Sequence, residues 1–149
     1  MSLQSEQYIP HRGKMSLIDN VLEVNDDYAL CEVIITDQST FYEAEISGIY
    51  NWVGVEYMAQ CVASYAGFHS QSINIGLLLS VRRFKSTLAF FSEGSVLKIK
   101  ANKVFLEESL GVFDCEIKLG GELIASAKLN TFQPPADKID EILKGKVKT

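Results

Sequence analysis

Apolar and polar residues alternate along much of the second half of the chain. From Gly111 to Leu119, Phe113, Cys115, Ile117 and Leu119 fall on one side, and Asp114, Glu116 and Lys118 on the other. Val96–Phe105 repeats the pattern, with Leu97, Ile99 and Ala101 opposing Lys98, Lys100 and Asn102. Leu123–Phe132 follows after the turn pair Gly120-Gly121. A period of two with one polar face predicts an antiparallel sheet covered on one side only. Ser16–Val24 and Tyr28–Thr36, joined by Asn25-Asp26-Asp27, are further strand candidates, as is Gly76–Phe84. Pro134-Pro135 stops the last strand, and Asp137–Lys144 predicts a short exposed helix carrying Ile139, Ile142 and Leu143.

The longest helix candidate is Asn51–Gln71. Trp52, Val53, Val55, Met58, Cys61, Val62, Tyr65 and Phe68 cover most of its circumference, which predicts a helix buried all round. Its polar exceptions Glu56, Gln60 and Ser64 recur every fourth residue and form one stripe along one face. Asn51 stands where a cap is expected, and Gly67 and His69 lie near the end. These elements predict an α+β arrangement, a long buried helix wrapped by a curved antiparallel sheet whose outer face is wet. No repeat, charge block or linker interrupts the chain. Residues 1–149 therefore read as a single domain, with 1–7 as a flexible N-terminus and 136–149 as a C-terminal tail.

With 149 residues, 47% hydrophobic and 22% charged, the chain can bury a sizeable core, which excludes disorder. The net charge of −5 argues against nucleic-acid binding, which needs a basic face. Cys31, Cys61 and Cys115 are odd in number and widely spaced, so neither a disulfide framework nor a zinc site is expected, and a reducing compartment is. Two histidines without clustered carboxylates make no metal site, and no glycine-rich phosphate loop precedes a helix, so no cofactor is expected. Trp52–Phe68, the most apolar stretch, is interrupted by Glu56 and Gln60, which a membrane span would not readily tolerate. Met1–Glu6 is polar and lacks a basic n-region. The expectation is a cytoplasmic protein with no membrane contact.

Glu56 is the first candidate for chemistry. A carboxylate one turn into a buried helix is costly when ionised, so burial is expected to raise its pKa toward the range of general acid–base work. A Glu at a subunit seam, hydrogen-bonded or paired with an Arg, fits the position equally well. Just upstream, the backbone N–H groups of Asn51, Trp52 and Val53 stand at a helix start, where a polarised carbonyl oxygen is favoured. His11, in Ile9-Pro10-His11-Arg12, precedes the first strand candidate. There it either reaches a site or pins its loop with a hydrogen bond. His69, in the last turn of the helix, reads as a dipole-stabilising residue. Arg82-Arg83-Phe84-Lys85 is a basic cluster in an acidic chain. It is either outward strand charge or a seat for a phosphopantetheine arm or an acidic carrier protein. Cys61 reads as core filler.

Several of these segments together resemble one family. Ile9-Pro10-His11-Arg12, followed by Met15 to Leu22, resembles the PHR…LLVDRVL opening of the FabZ-type 3-hydroxyacyl-(acyl carrier protein) dehydratases. Val55-Glu56-Tyr57-Met58-Ala59-Gln60 resembles their central EAMAQ motif. Arg83-Phe84-Lys85 and Phe91-Ser92-Glu93-Gly94 resemble their ARFKRPVVPGD strand-start motif. The likeness runs from Tyr8 to Phe132 and implies a hotdog fold, as a homodimer or higher oligomer, acting on an acyl carrier protein or coenzyme A thioester. The family's catalytic His, counted back from Glu56, falls at Tyr42 here, and the loop Ile46–Asn51 lacks the family's prolines. Trp52-Val53-Gly54-Val55-Glu56 better matches the divergent dehydratase-like branch associated with aryl polyene clusters.

For dehydration Glu56 is expected to handle the departing hydroxyl, and His11, the one histidine inside a matching motif, to replace the missing base. The helix start would hold the thioester oxygen, with Gln60, Tyr42 and Arg83 on the substrate side. Tyr42 is the weaker base, because a phenol stays protonated near pH 7. Two other classes fit the same residues. A hotdog thioesterase would use Glu56 to activate water against the thioester. A non-catalytic or partner-dependent subunit would bind the acyl carrier and have its site completed by another hotdog chain.

Overall fold

The computed structural model describes residues 3–4, 16–69, 77–107 and 110–132. In chain order these form β1 (Leu3–Gln4), β2 (Asn20–Val24), β3 (Tyr28–Ile34) and β4 (Gly48–Tyr50), then a 3-10 turn (Asn51–Val53) and α1 (Gly54–His69). β5 (Leu77–Ser86), β6 (Phe90–Ser92), β7 (Val96–Glu107), β8 (Leu110–Leu119) and β9 (Glu122–Phe132) follow. The main sheet runs β1-β2-β3-β7-β8-β9-β5 with every neighbour antiparallel, and β4 pairs with β6 separately. The α+β hotdog architecture expected from the sequence is the one observed. Residues 16–19 are irregular, so the first long strand starts at Asn20 rather than Ser16. Leu3 and Gln4, inside the stretch read as a free terminus, pair with Val21 and Asn20. The C-terminal helix expected over 137–144, and the tail 136–149 as a whole, lie outside the described residues.

The alternation seen in sequence is the burial pattern of the sheet. Leu97, Ile99 and Ala101 of β7 and Phe113, Cys115 and Ile117 of β8 are buried beneath α1, which packs mainly on β3, β7 and β8. Met58, Cys61 and Tyr65 are among the helix's buried side chains. Cys61 Sγ lies 3.4 Å from the Ala29 oxygen and 3.5 Å from that of Ile99, and burial pushes its thiol pKa well up, so it fills the core as expected. At the end of α1, Tyr65 donates to the Asp26 oxygen (2.7 Å), and His69 Nε2 stands 2.7 Å from that of Asn25. The helix end is thereby fastened to the β2–β3 turn. The convex face carries the charges in opposed pairs, Lys98 with Glu32 (2.6 Å) and Lys128 with Asp114 (3.5 Å).

Two expectations are corrected here. The helix is not buried all round: Trp52 is 57% exposed, and Glu56 and Phe68 are exposed as well. A single sheet covers one side of a helix, and the apolar residues on the other side stay in water until a second surface meets them. The polar stripe is corrected by the same geometry. Four residues advance about 40° beyond a full turn. Glu56 therefore faces out, while Gln60 and Ser64 rotate progressively inward and are buried.

Candidate active site

Three segments meet where α1 begins. β4 delivers the chain into the 3-10 turn, and Gly54 opens the helix where a Cβ would stand only 3.0 Å from Ile117 Cδ1 and 3.4 Å from Phe91 Cζ. Glycine lets the helix start press onto the sheet. The cap is Tyr50, in extended conformation and without a side-chain bond, rather than Asn51. Asn51 lies inside the turn, where its amide reaches the neighbouring loop: Nδ2 donates to the Leu88 oxygen (2.8 Å) and its N–H to that of Ala89 (3.0 Å). Of the three N–H groups expected to hold a substrate oxygen, that of Asn51 is therefore already bonded. That of Val53 closes the 3-10 turn onto the Tyr50 oxygen, which leaves that of Trp52 as the candidate.

The second segment is the loop after β3. The Phe41 ring sits edge-on to Trp52 at 6.0 Å, with Phe41 in the left-handed region (φ 71°). Beside it, the Tyr42 hydroxyl donates to Glu93 Oε1 at 2.6 Å. This bond to a carboxylate pushes the phenol pKa up from 10.0, which moves Tyr42 further from any role as a base. Glu93 is in turn held by its own N–H, which donates to the Ser47 oxygen (2.9 Å). Sequence reasoning did not single out Glu93. Its only signal was its place in Phe91-Ser92-Glu93-Gly94, since Tyr42 is 51 residues away along the chain.

Glu56 stands one turn beyond Trp52 on the same outward face. The burial expected to strain its carboxylate is absent in the single chain, where Glu56 is exposed. Gln60 is turned the other way, and its Oε1 accepts the Leu17 N–H at 2.8 Å. It thereby anchors the segment that follows His11. His11 itself, with Arg12 and Met15, lies outside the described residues. Arg83 is exposed on edge strand β5, at a bulge and in the left-handed region (φ 55°), flanked by exposed Arg82 and Lys85. β5 leads to Ser86, whose hydroxyl donates to the same Leu88 oxygen (2.7 Å) that Asn51 holds. The structure therefore brings Trp52, Val53, Glu56 and Tyr42 to the helix start, leaves Arg83 exposed on the edge strand, and turns Gln60 into the interior.

A cleft of about 380 Å³ opens behind this region, lined by Leu17, Asp19, Ile34, Thr36, Thr40 and Tyr57 among others. Asp19 Oδ2 accepts the Ile34 N–H there (2.7 Å), and partial burial pushes its carboxyl pKa up. Among the described residues no group of His, Cys, Asp or Glu is placed to hold a metal ion, and no helix is long and apolar enough to cross a membrane.

Comparison with known proteins bears on these residues as a set. The ApeP dehydratase family profile matches residues 3–144. The dehydratase heterocomplex ApeI:P from Xenorhabdus doucetiae is 28% identical, covering 95% of this chain and 97% of that one, with a TM-score of 0.87. A hypothetical thioesterase from Streptococcus pneumoniae, solved with coenzyme A, is 14% identical over 76% of this chain and 84% of its own, with a TM-score of 0.61. The E. coli PaaI protein of the phenylacetic acid degradation operon is likewise 14% identical, covering 75% of this chain and 80% of that one, with a TM-score of 0.60. The last two likenesses show the fold alone. No curated protein matches in sequence.

Proposed function

The chain belongs to the ApeP-like dehydratase family, and from that premise we propose that it removes water from a 3-hydroxyacyl thioester carried on an acyl carrier protein, leaving the trans-2-enoyl thioester. The setting is a fatty-acid or aryl-polyene-type synthesis. The observation that carries this reading is Glu56, presented on the outward face of α1 one turn after the 3-10 start. In the elimination His11 accepts the proton from the carbon next to the thioester. The electron pair moves through an enolate, whose oxygen is held by the Trp52 N–H at the helix start, into the new carbon–carbon double bond. Glu56 gives its proton to the 3-hydroxyl, which leaves as water, and the proton on His11 returns to Glu56 through solvent.

An acid must hold its proton, and a carboxyl taken out of water favours the neutral form. A second hotdog chain laid over Trp52, Glu56 and Ala59 would withdraw Glu56 from water in this way. The site is thus read as complete in an assembly, whether with a second copy or with a different hotdog chain. The second arrangement is supported by Tyr42, already bonded to Glu93 where the FabZ-type family has its His, and by the neighbour solved as a heterocomplex. Exposed Arg82, Arg83 and Lys85 offer the acidic carrier a positive edge.

The test is the intact mass of a 3-hydroxyacyl carrier protein incubated with the chain, alone and with a second hotdog subunit. Loss of one water is expected. Glu56→Gln should slow that loss by about 10²-fold or more while leaving the fold intact, because the side chain is exposed. Loss of the acyl group instead would make the protein a thioesterase. An unaltered carrier in both incubations would sink the dehydratase reading.

A further inference from the structure

Tyr57 follows Glu56 directly and is turned about 100° from it around α1. Glu56 faces out, whereas Tyr57 is only 1% exposed, its ring lying against that of Phe91 at 6.4 Å. Where the EAMAQ motif has Ala, this chain thus buries a phenol. Every described side-chain N or O that is sealed from solvent has a hydrogen-bond partner. The Tyr57 hydroxyl has none among the described residues, so it is the part of the residue that opens on the cleft behind the helix start. Burial, and after it the charge of Asp19, pushes the phenol pKa up, so the hydroxyl keeps its proton and is a donor.

Asp19 is the other polar group in the cleft with bonding capacity left over. Its Oδ2 accepts the Ile34 N–H at 2.7 Å and its own N–H donates to the Glu32 oxygen at 3.0 Å, which leaves Oδ1 to accept a further bond. The rim is held in shape by Ser39, whose hydroxyl accepts the Thr36 N–H (2.9 Å) and donates to the Ile34 oxygen (3.4 Å). Leu17 and Val33 complete the lining with apolar residues. The volume of about 380 Å³ falls within the roughly 300–1,000 Å³ of small-ligand sites. An occupant that satisfies both polar groups must accept from Tyr57 and donate to Asp19. A carboxylate only accepts and is repelled by Asp19, and an ammonium only donates. A hydroxyl does both. We propose that this cleft, separate from the outward face that carries Glu56, binds a small neutral alcohol whose hydroxyl bridges Tyr57 and Asp19 and whose short carbon body lies on Leu17 and Val33. Water can bridge the same two groups, and the contact of the carbon body with the apolar lining is what favours the alcohol over it.

The test titrates the isotope-labelled full chain with n-butanol, butylammonium and butyrate at equal ionic strength and follows the backbone amide resonances. Saturable shifts at Asp19, Ile34 and Tyr57 are expected with n-butanol and not with the two ions. Tyr57→Phe and Asp19→Asn should each weaken that binding by about tenfold. Tyr57→Phe should also leave Tm unchanged, because the hydroxyl has no partner among the described residues. A lowered Tm would give the hydroxyl a structural role and overturn the proposal. Equal binding of either ion, binding that survives either substitution, or shifts that never saturate would overturn it as well.

Discussion

At the scale of the residue, Glu56 and Gln60 are one helical turn apart and do different work. Glu56 faces water, and Gln60 accepts the backbone N–H of Leu17. Replacing Gln60 by Leu keeps the volume but removes the acceptor for Leu17. It should lower stability by about 1–3 kcal/mol in urea unfolding and slow dehydration by releasing the segment at Leu17. Arg83 is the converse case. A non-glycine residue in the left-handed region costs about 1–2 kcal/mol, so Arg83→Gly should raise stability by about 1 kcal/mol while weakening carrier binding. A stability gain with unchanged affinity would remove Arg83 from the carrier surface.

At the scale of the element, strand pairing is held by a few contacts whose loss has a definite sign. Lys98 beside Glu32, across β3 and β7, holds the Glu32 carboxyl below its usual 4.5. A folded-state pKa below the unfolded one contributes stability that is present above the usual value and is lost as pH falls through the lowered one. Lys98→Met should therefore flatten the fall of Tm as pH drops below the usual 4.5, a comparison that a thermal scan at each pH makes directly. The small β4–β6 sheet depends on Gly48, where a Cβ would collide with the Phe91 carbonyl oxygen. Gly48→Ala should cost about 1–3 kcal/mol and loosen the helix start that β4 delivers, lowering activity with stability.

At the scale of the whole molecule, the outward face of α1 is the unfinished part. Trp52, Val55, Ala59 and Ala63 recur at three- and four-residue steps on that face, and they are exposed or half-buried in a single chain. If a second hotdog chain covers them, Ala63→Arg should return the particle from at least twice the chain mass to one chain in light scattering, and lose dehydration with it. A variant that remains assembled would move the interface elsewhere.

Strands β7 and β8 were legible to within a residue or two because a sheet covered on one side writes its burial as alternation, and β3 and β9 because turn residues bound them. β4 and β6 were not, since three residues are too few to show a period. The sequence by itself determined the fold class, the long helix and the family motif around Glu56, all of which are local patterns. Which side of α1 meets the sheet was decided by tertiary structure, because a helix apolar on both sides carries no preference until one side is covered. The same holds for Asn51, drawn to the Leu88 carbonyl, and for Tyr42, bonded to a carboxylate 51 residues away. Contacts between distant segments leave no spacing in the sequence, and only the folded chain brings such groups within bonding distance.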